Sequence, residues 1–179
     1  MGSRDEMREL AISTLMFVGI VGWWVSSGVH RQAPLVGSLG HSDEVASLEA
    51  EVAIEPENID KLSRLCRSYL ERNAPGFALA AIHRAPSKVR QSPTITHLWA
   101  RALLREGKAS EALAKQRSVL LHCQSNACSS WLFASAMRHE AFLSAMVDNN
   151  VEDYRRDPDR TIQAYQTMQT STVAMLEVP

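Results

Sequence analysis

Glycine and proline are scarce in this chain, eight and seven in 179 residues, and charged residues make up an ordinary 22%, so the bulk has the composition of a folded domain. Chemical motifs are missing as well. There is no phosphate-binding glycine loop, no nucleophile motif and no pair of metal ligands at helical spacing, and the six histidines are scattered. No recognisable set of catalytic residues or cofactor-binding motif is present, and the chain does not read as an enzyme. Nothing points to nucleic acid either. Cysteine is limited to three positions. Cys66, at a small-residue position between helices, reads as a core thiol. His122, Cys123 and Cys128 in HCQSNAC form the one chemical cluster, open to three readings: a short-loop disulfide, two packed free thiols, or part of a metal site. A structural zinc site needs four ligands and the others are not evident, and the Cys-x-x-Cys of redox and haem-attachment motifs is absent. A disulfide is favoured if the domain lies outside the cytoplasm.

Charge of either sign is missing from Leu10 to Val29, twenty residues that as a helix span roughly 30 Å, the thickness of a bilayer's hydrocarbon core. The expectation is a single uncleaved transmembrane helix within 1–30, because Asp5, Glu6 and Glu9 precede it and it is longer than a usual signal-peptide core. Trp23 and Trp24 suit the headgroup interface. Arg4 and Arg8 before the span, against Arg31 alone after it until Lys61, place the N-terminus in the cytoplasm and the domain outside, as in a bacterial periplasm. Residues 31–41, with Gly, Ser and Pro and no helical period, read as a flexible linker.

Charge is segregated beyond the linker. Ser42 to Asp60 holds seven acidic residues and no Lys or Arg, whereas Lys61 to His139 holds thirteen Lys or Arg against three Glu, an excess of ten. From Glu140 the chain is acidic again. A basic centre between acidic flanks predicts an acidic partner, or self-association through the flanks, unless most of the charge is a solvated helix face.

From residue 42 to 179 the apolar residues return at helical spacing and predict an all-α domain. Val45, Leu48 and Val52 mark a first short helix, closed by Pro56. The segment from Ile59 to Ala85 aligns with the one 34 residues on: Leu65 falls on Trp99, Cys66 on Ala100, Tyr69 on Leu103, Leu70 on Leu104, Asn73 on Gly107, and Ala78 on Ala112. Each unit is a helix, a tight turn and a second, antiparallel helix. Another shift of 34 brings Phe133, Met137 and Ala141 onto Trp99, Leu103 and Gly107 before the register drifts. Gln116 interrupts the pattern where a large apolar residue belongs, and Pro86 shortens a helix. Asp157 and Pro158 open a last helix, over about 158–172, with Ile162, Tyr165 and Met168 expected inward as the cap of the stack.

This large, small, aromatic pattern on the first helix, with a turn residue and then Ala on the second, resembles the tetratricopeptide repeat (TPR) family. The resemblance implies repeats at about 59–92 and 93–126, a partial repeat at 127–150 and stacking into a short α-solenoid behind the membrane helix. It also implies peptide binding along the wall of successive first helices, where spacing places Arg67, His97, Arg101, Arg105, Arg138 and His139. Arg101 and Arg105 are one turn apart and can hold a carboxylate between them. The expected function is a membrane-tethered interaction module, an assembly factor or accessory subunit of an envelope complex, whose partner is a protein with an acidic segment. Two alternatives stand beside it: a structural subunit held through its span, where Ser13, Gly19 and Gly22 form a small-residue stripe, and a thiol- or metal-handling protein using Cys123 and Cys128.

Overall fold

The computed structural model describes residues 39–125 and 128–176, with side chains from 43 to 169 within that range. The apolar segment 10–29 lies outside the described residues, among which no helix is long and apolar enough to cross a membrane. The described residues from Gly40 onward form one compact unit. Its described residues are all helix and connection, with no strand, in the order α1 (Leu39–Ile54), α2 (Ile59–Glu71), α3 (Pro75–Arg84), α4 (Ser87–Arg90), α5 (Pro93–Arg105), α6 (Ala109–Ser125), α7 (Ser130–Asp148) and α8 (Pro158–Leu176). The stretch read as a linker is shorter than expected, because α1 already begins at Leu39.

Local sequence explains the ends of these helices. The Asn58 side chain accepts hydrogen bonds from the Asp60 and Lys61 amides at the start of α2, and Ser92 and Ser129 do the same for Ile95 and Leu132 in α5 and α7. Three helices end the same way. At Asn73, Gly107 and Asn150 the backbone turns left-handed, with φ of 54°, 77° and 56°. The next amide then reaches back five residues: Ala74 to the Tyr69 carbonyl at 2.9 Å, Lys108 to Leu103 at 3.1 Å, and Val151 to Met146 at 2.8 Å. This double closure satisfies carbonyls that the helix leaves open and folds the chain back sharply.

Those turns make hairpins of α2 with α3 and of α5 with α6, and α3 packs on α5 as α6 packs on α7. Ala78 and Ala112 are fully buried, so the helix backbones approach closely at both places. Two apolar clusters result. One, around Leu62, Cys66, Leu70, Ile82 and Leu98, takes in Leu48 of α1, and the other, around Leu103, Leu113, Leu143 and Met146, takes in Ala164 of α8. Trp99 and Leu79 touch both. Between α3 and α5, Pro86 ends one helix and opens the short α4, which buries Val89.

The third unit departs from the 34-residue register. Its turn falls at Asn150 rather than near Ala141, because α7 runs for 19 residues against 13 in α2 and α5. Met137 is half exposed as a result. The inward stripe of α8 also differs from the expected one: Ala164 and Met168 pack inward, whereas Ile162 and Tyr165 face solvent at 56% and 49% exposure. The small Ala164 side chain lets α8 lie close to its neighbour, which the larger residues would prevent.

Candidate functional site

His97, Arg101 and Arg105 recur at every fourth residue of α5 and so share one face of that helix. Arg67 approaches this stripe from α2, and Ser135 and His139 approach it from α7. The structure therefore brings together five of the six basic residues that spacing placed on the wall. Arg138 is the exception. It is exposed on α7, apart from the cluster.

The five are not equivalent. Arg105 is already committed, since its Nη1 donates to the Leu70 carbonyl near the end of α2, where the helix leaves an acceptor open. It ties α5 to α2 and is not a free member of a clamp, which corrects the expectation that Arg101 and Arg105 act as a pair. Arg101 is half-buried and makes no hydrogen bond or ion pair with any described residue. Burial, then the charges of Arg105 and Arg67, lower its affinity for a proton, while Glu71 acts the other way. Arg67 is exposed and likewise unpaired. Two guanidiniums on adjacent helices thus have no ion pair, and Glu71, near enough to act on Arg101, only dilutes their field.

Beneath them lies a polar cluster. His97 is 3% exposed, because α7 packs over it, so it is no accessible groove residue, and His139 is half-buried. Nδ1 of each ring lies 3.0 Å from Oε1 of Gln116 on α6, and His97 Nε2 lies 3.2 Å from Ser135 Oγ. The two rings meet edge to face with centroids 5.7 Å apart. One amide oxygen therefore ties α5 to α7 across α6. Burial first, then Arg101 and Arg67, lower the proton affinity of His97, partly offset by its bond to Gln116. Burial, His97 and Arg101 push His139 down to about 4. Both rings are neutral at pH 7.

Gln116 and Ser135 belong to this cluster, and sequence spacing assigned neither to it. The signal for Gln116 was its position: a polar residue in an apolar register, buried, requires polar partners. Its Nε2 remains without one. Ser135, His97 and Gln116 also stand in the order hydroxyl, imidazole, orienting carbonyl, the order of an activated nucleophile. Three features oppose that chemistry. The imidazole is sealed from solvent, its orienting group is neutral and shared with a second ring, and Ser135 sits mid-helix, where a substrate carbonyl has no approach.

The opposite face of α5 carries a cleft of about 500 Å³ bordered by Arg90, Thr96, Trp99 and Lys115. Its indole is occupied, with Lys115 Nζ 3.9 Å from the Trp99 ring centroid and His83 edge-on at 5.0 Å. Cys123 and Cys128 form a disulfide, S–S 2.13 Å, joining the end of α6 to the residue before the α7 cap. Cys66 is a free, fully buried thiol pushed up to about 12 by that burial. Among the described residues no group of three or more His, Cys, Asp or Glu is placed to hold a metal.

No protein-family model, no curated protein and no solved structure matches the chain.

Proposed function

We propose that this protein is a membrane-tethered, TPR-like interaction module that binds an acidic segment of a partner protein across the Arg67 and Arg101 face. One observation carries the reading: two arginines from adjacent first helices are turned outward, close enough to repel, with no ion pair of their own. Several other cations of the domain are paired. Lys61, Arg64 and Arg72 pair with Glu55, Glu51 and Glu44, and Arg117 pairs with Glu140. A half-buried guanidinium without an anion is an unfavourable arrangement unless a ligand completes it. The repeat reading is supported by hairpins closed at Asn73 and Gly107 and by buried alanines at matching positions. The segment 10–29 supplies the tether.

The test is binding of a capped hexaglutamate peptide to the full chain in mild detergent. Arg67→Ala with Arg101→Ala is expected to weaken binding by about tenfold or more, and the double Lys exchange by less, since it keeps the charge and loses the bidentate fork. Binding by both variants at the wild-type affinity would remove this face from consideration. The bilayer-held structural subunit predicts that outcome, together with retention of partners by the span alone.

A further inference from the structure

The cluster under the arginines has the chemistry to take up a proton without breaking. With Gln116 Oε1 facing both rings, each Nδ1 carries its proton, because a carbonyl oxygen can only accept. Nε2 is then the titrating atom of each ring. At His97 that atom faces Ser135 Oγ, and a hydroxyl can donate to a bare nitrogen or, after rotating, accept from a protonated one. Protonation therefore costs His97 no hydrogen bond, and both rings keep their bridge through Gln116. What opposes the added charge is burial together with like charge nearby.

The like charge, the smaller of the two causes, has a definite source. From α2 the pair is faced by Arg67 and, further off, Glu71; from α5 by Arg101, with Arg105 held at the Leu70 carbonyl. On α6 and α7 the nearest ions, Arg117 and Glu140, neutralise each other at 3.1 Å, and Arg138 points to solvent. The uncompensated charges beside the rings are thus those of Arg67 and Arg101, the groups a carboxylate ligand would neutralise. Neutralising them relieves the smaller part of the opposition and raises the proton affinity of the rings, most directly that of His97, which both arginines face, while burial, the larger cause, stays. Only one ring can charge readily, because the two are 5.7 Å apart.

We propose that the Arg67 and Arg101 face binds its carboxylate partner together with a proton, taken up on Nε2 of one ring of the His97, Gln116 and His139 bridge. This rests on the anionic-partner reading of that face and adds its regulation: acid strengthens the complex. By linkage the effect is reciprocal, so a carboxylate that raises imidazole proton affinity is itself bound more tightly when protons are available. Affinity rises as pH falls below the ordinary imidazole value of about 6.5 and continues to rise toward about pH 5, where glutamate remains ionised, with a ceiling of about tenfold per pH unit where a full proton is taken up.

The experiment is calorimetric titration of the full chain in mild detergent with capped hexaglutamate at pH 6, in buffers of low and high ionisation enthalpy. A buffer-dependent heat equivalent to uptake of part of a proton is expected, together with tighter binding at pH 5.5 than at pH 7. Both should vanish in His97→Asn with His139→Asn, which keeps amide donors near the Nδ1 positions. Imidazole titration by NMR on the wild type needs no variant, and peptide should move at least one ring's midpoint upward. Binding without buffer dependence and without that movement overturns the proton coupling and leaves the face intact. No binding between pH 5 and 8 overturns both.

Discussion

Each of the two buried histidines makes stability depend on pH, with a sign that follows from its environment. The folded state lowers the proton affinity of His139 to about 4, against an ordinary value of 6.5, and lowers that of His97 as well. The unfolded chain therefore binds protons first as pH falls. Stability is full above about pH 6.5, declines as pH drops toward 4, and from these two groups declines no further once they are protonated in the folded state too. Urea midpoints of the chain are expected to fall across that window, and His139→Asn should flatten the slope. A flat wild-type profile would mean that the rings are not shielded as drawn. Gly107 is the other residue whose identity is dictated by place. Its φ of 77° disfavours any side chain, and a Cβ there would sit 2.6 Å from Asp153 Cγ. Asp153 cannot swing away freely, since Arg155 and Arg156 hold its carboxylate at 3.0 and 3.5 Å. Gly107→Ala should cost at least the backbone penalty of about 1 to 2 kcal/mol, read as a lowered denaturation midpoint. Asn73, at the equivalent turn, keeps its side chain at a φ of 54° because asparagine tolerates that region.

Among the helices, the buried alanines are the most sensitive points. Ala112 is fully buried on α6, the helix between α5 and α7, so Ala112→Leu is expected to overpack that contact at a cost of roughly 1 to 3 kcal/mol. An unchanged melting profile would show that the helices are not packed as closely as the structure has them. The same residues show what was legible in the chain. Hairpin positions, their turn residues and the first core could be read, because a repeat of 34 residues shows itself twice in the sequence. The third turn could not. Asn150 is as much a turn residue as Asn73, yet it lies 43 residues beyond Gly107, and nothing local says that α7 continues through Ala141. The face of α8 was misjudged for a related reason. Helical spacing marks Ile162, Tyr165 and Met168 as a stripe, but the close approach that only Ala164 permits is a property of the partner helix. The basic wall was legible as a set of residues and not as a set of roles. Arg105 and His97 look like Arg101 in sequence, and only packing decides which of them is spent on a helix end, which is sealed under α7, and which is left facing out.

Across the molecule, the segregated charge is largely resolved within the fold. Acidic α1 lies against basic α2, with Glu44, Glu51 and Glu55 facing Arg72, Arg64 and Lys61, and Glu49 accepting from the Tyr69 hydroxyl. Exposed pairs of this kind add little stability, about 0 to 1 kcal/mol each, but they take that acidic flank out of contention as a free docking surface and leave the cations of α5 without an ion pair. The disulfide bears on where this domain works. Cys123 and Cys128 join across a loop of five, and such a bridge persists in an oxidising compartment, which agrees with the proposal of a domain held outside the cytoplasm. Labelling tests both at once. Protein from its native compartment, unfolded without reductant in the presence of an alkylating reagent, should carry one label, on Cys66, and three after reduction. Kept folded, it should carry none, because Cys66 is fully buried and its thiol is pushed up to about 12, far from forming the reactive thiolate. Three labels before reduction would mean that the bridge does not form where the protein resides, and a cytoplasmic signal from a reporter fused after Pro179 would then give the reason.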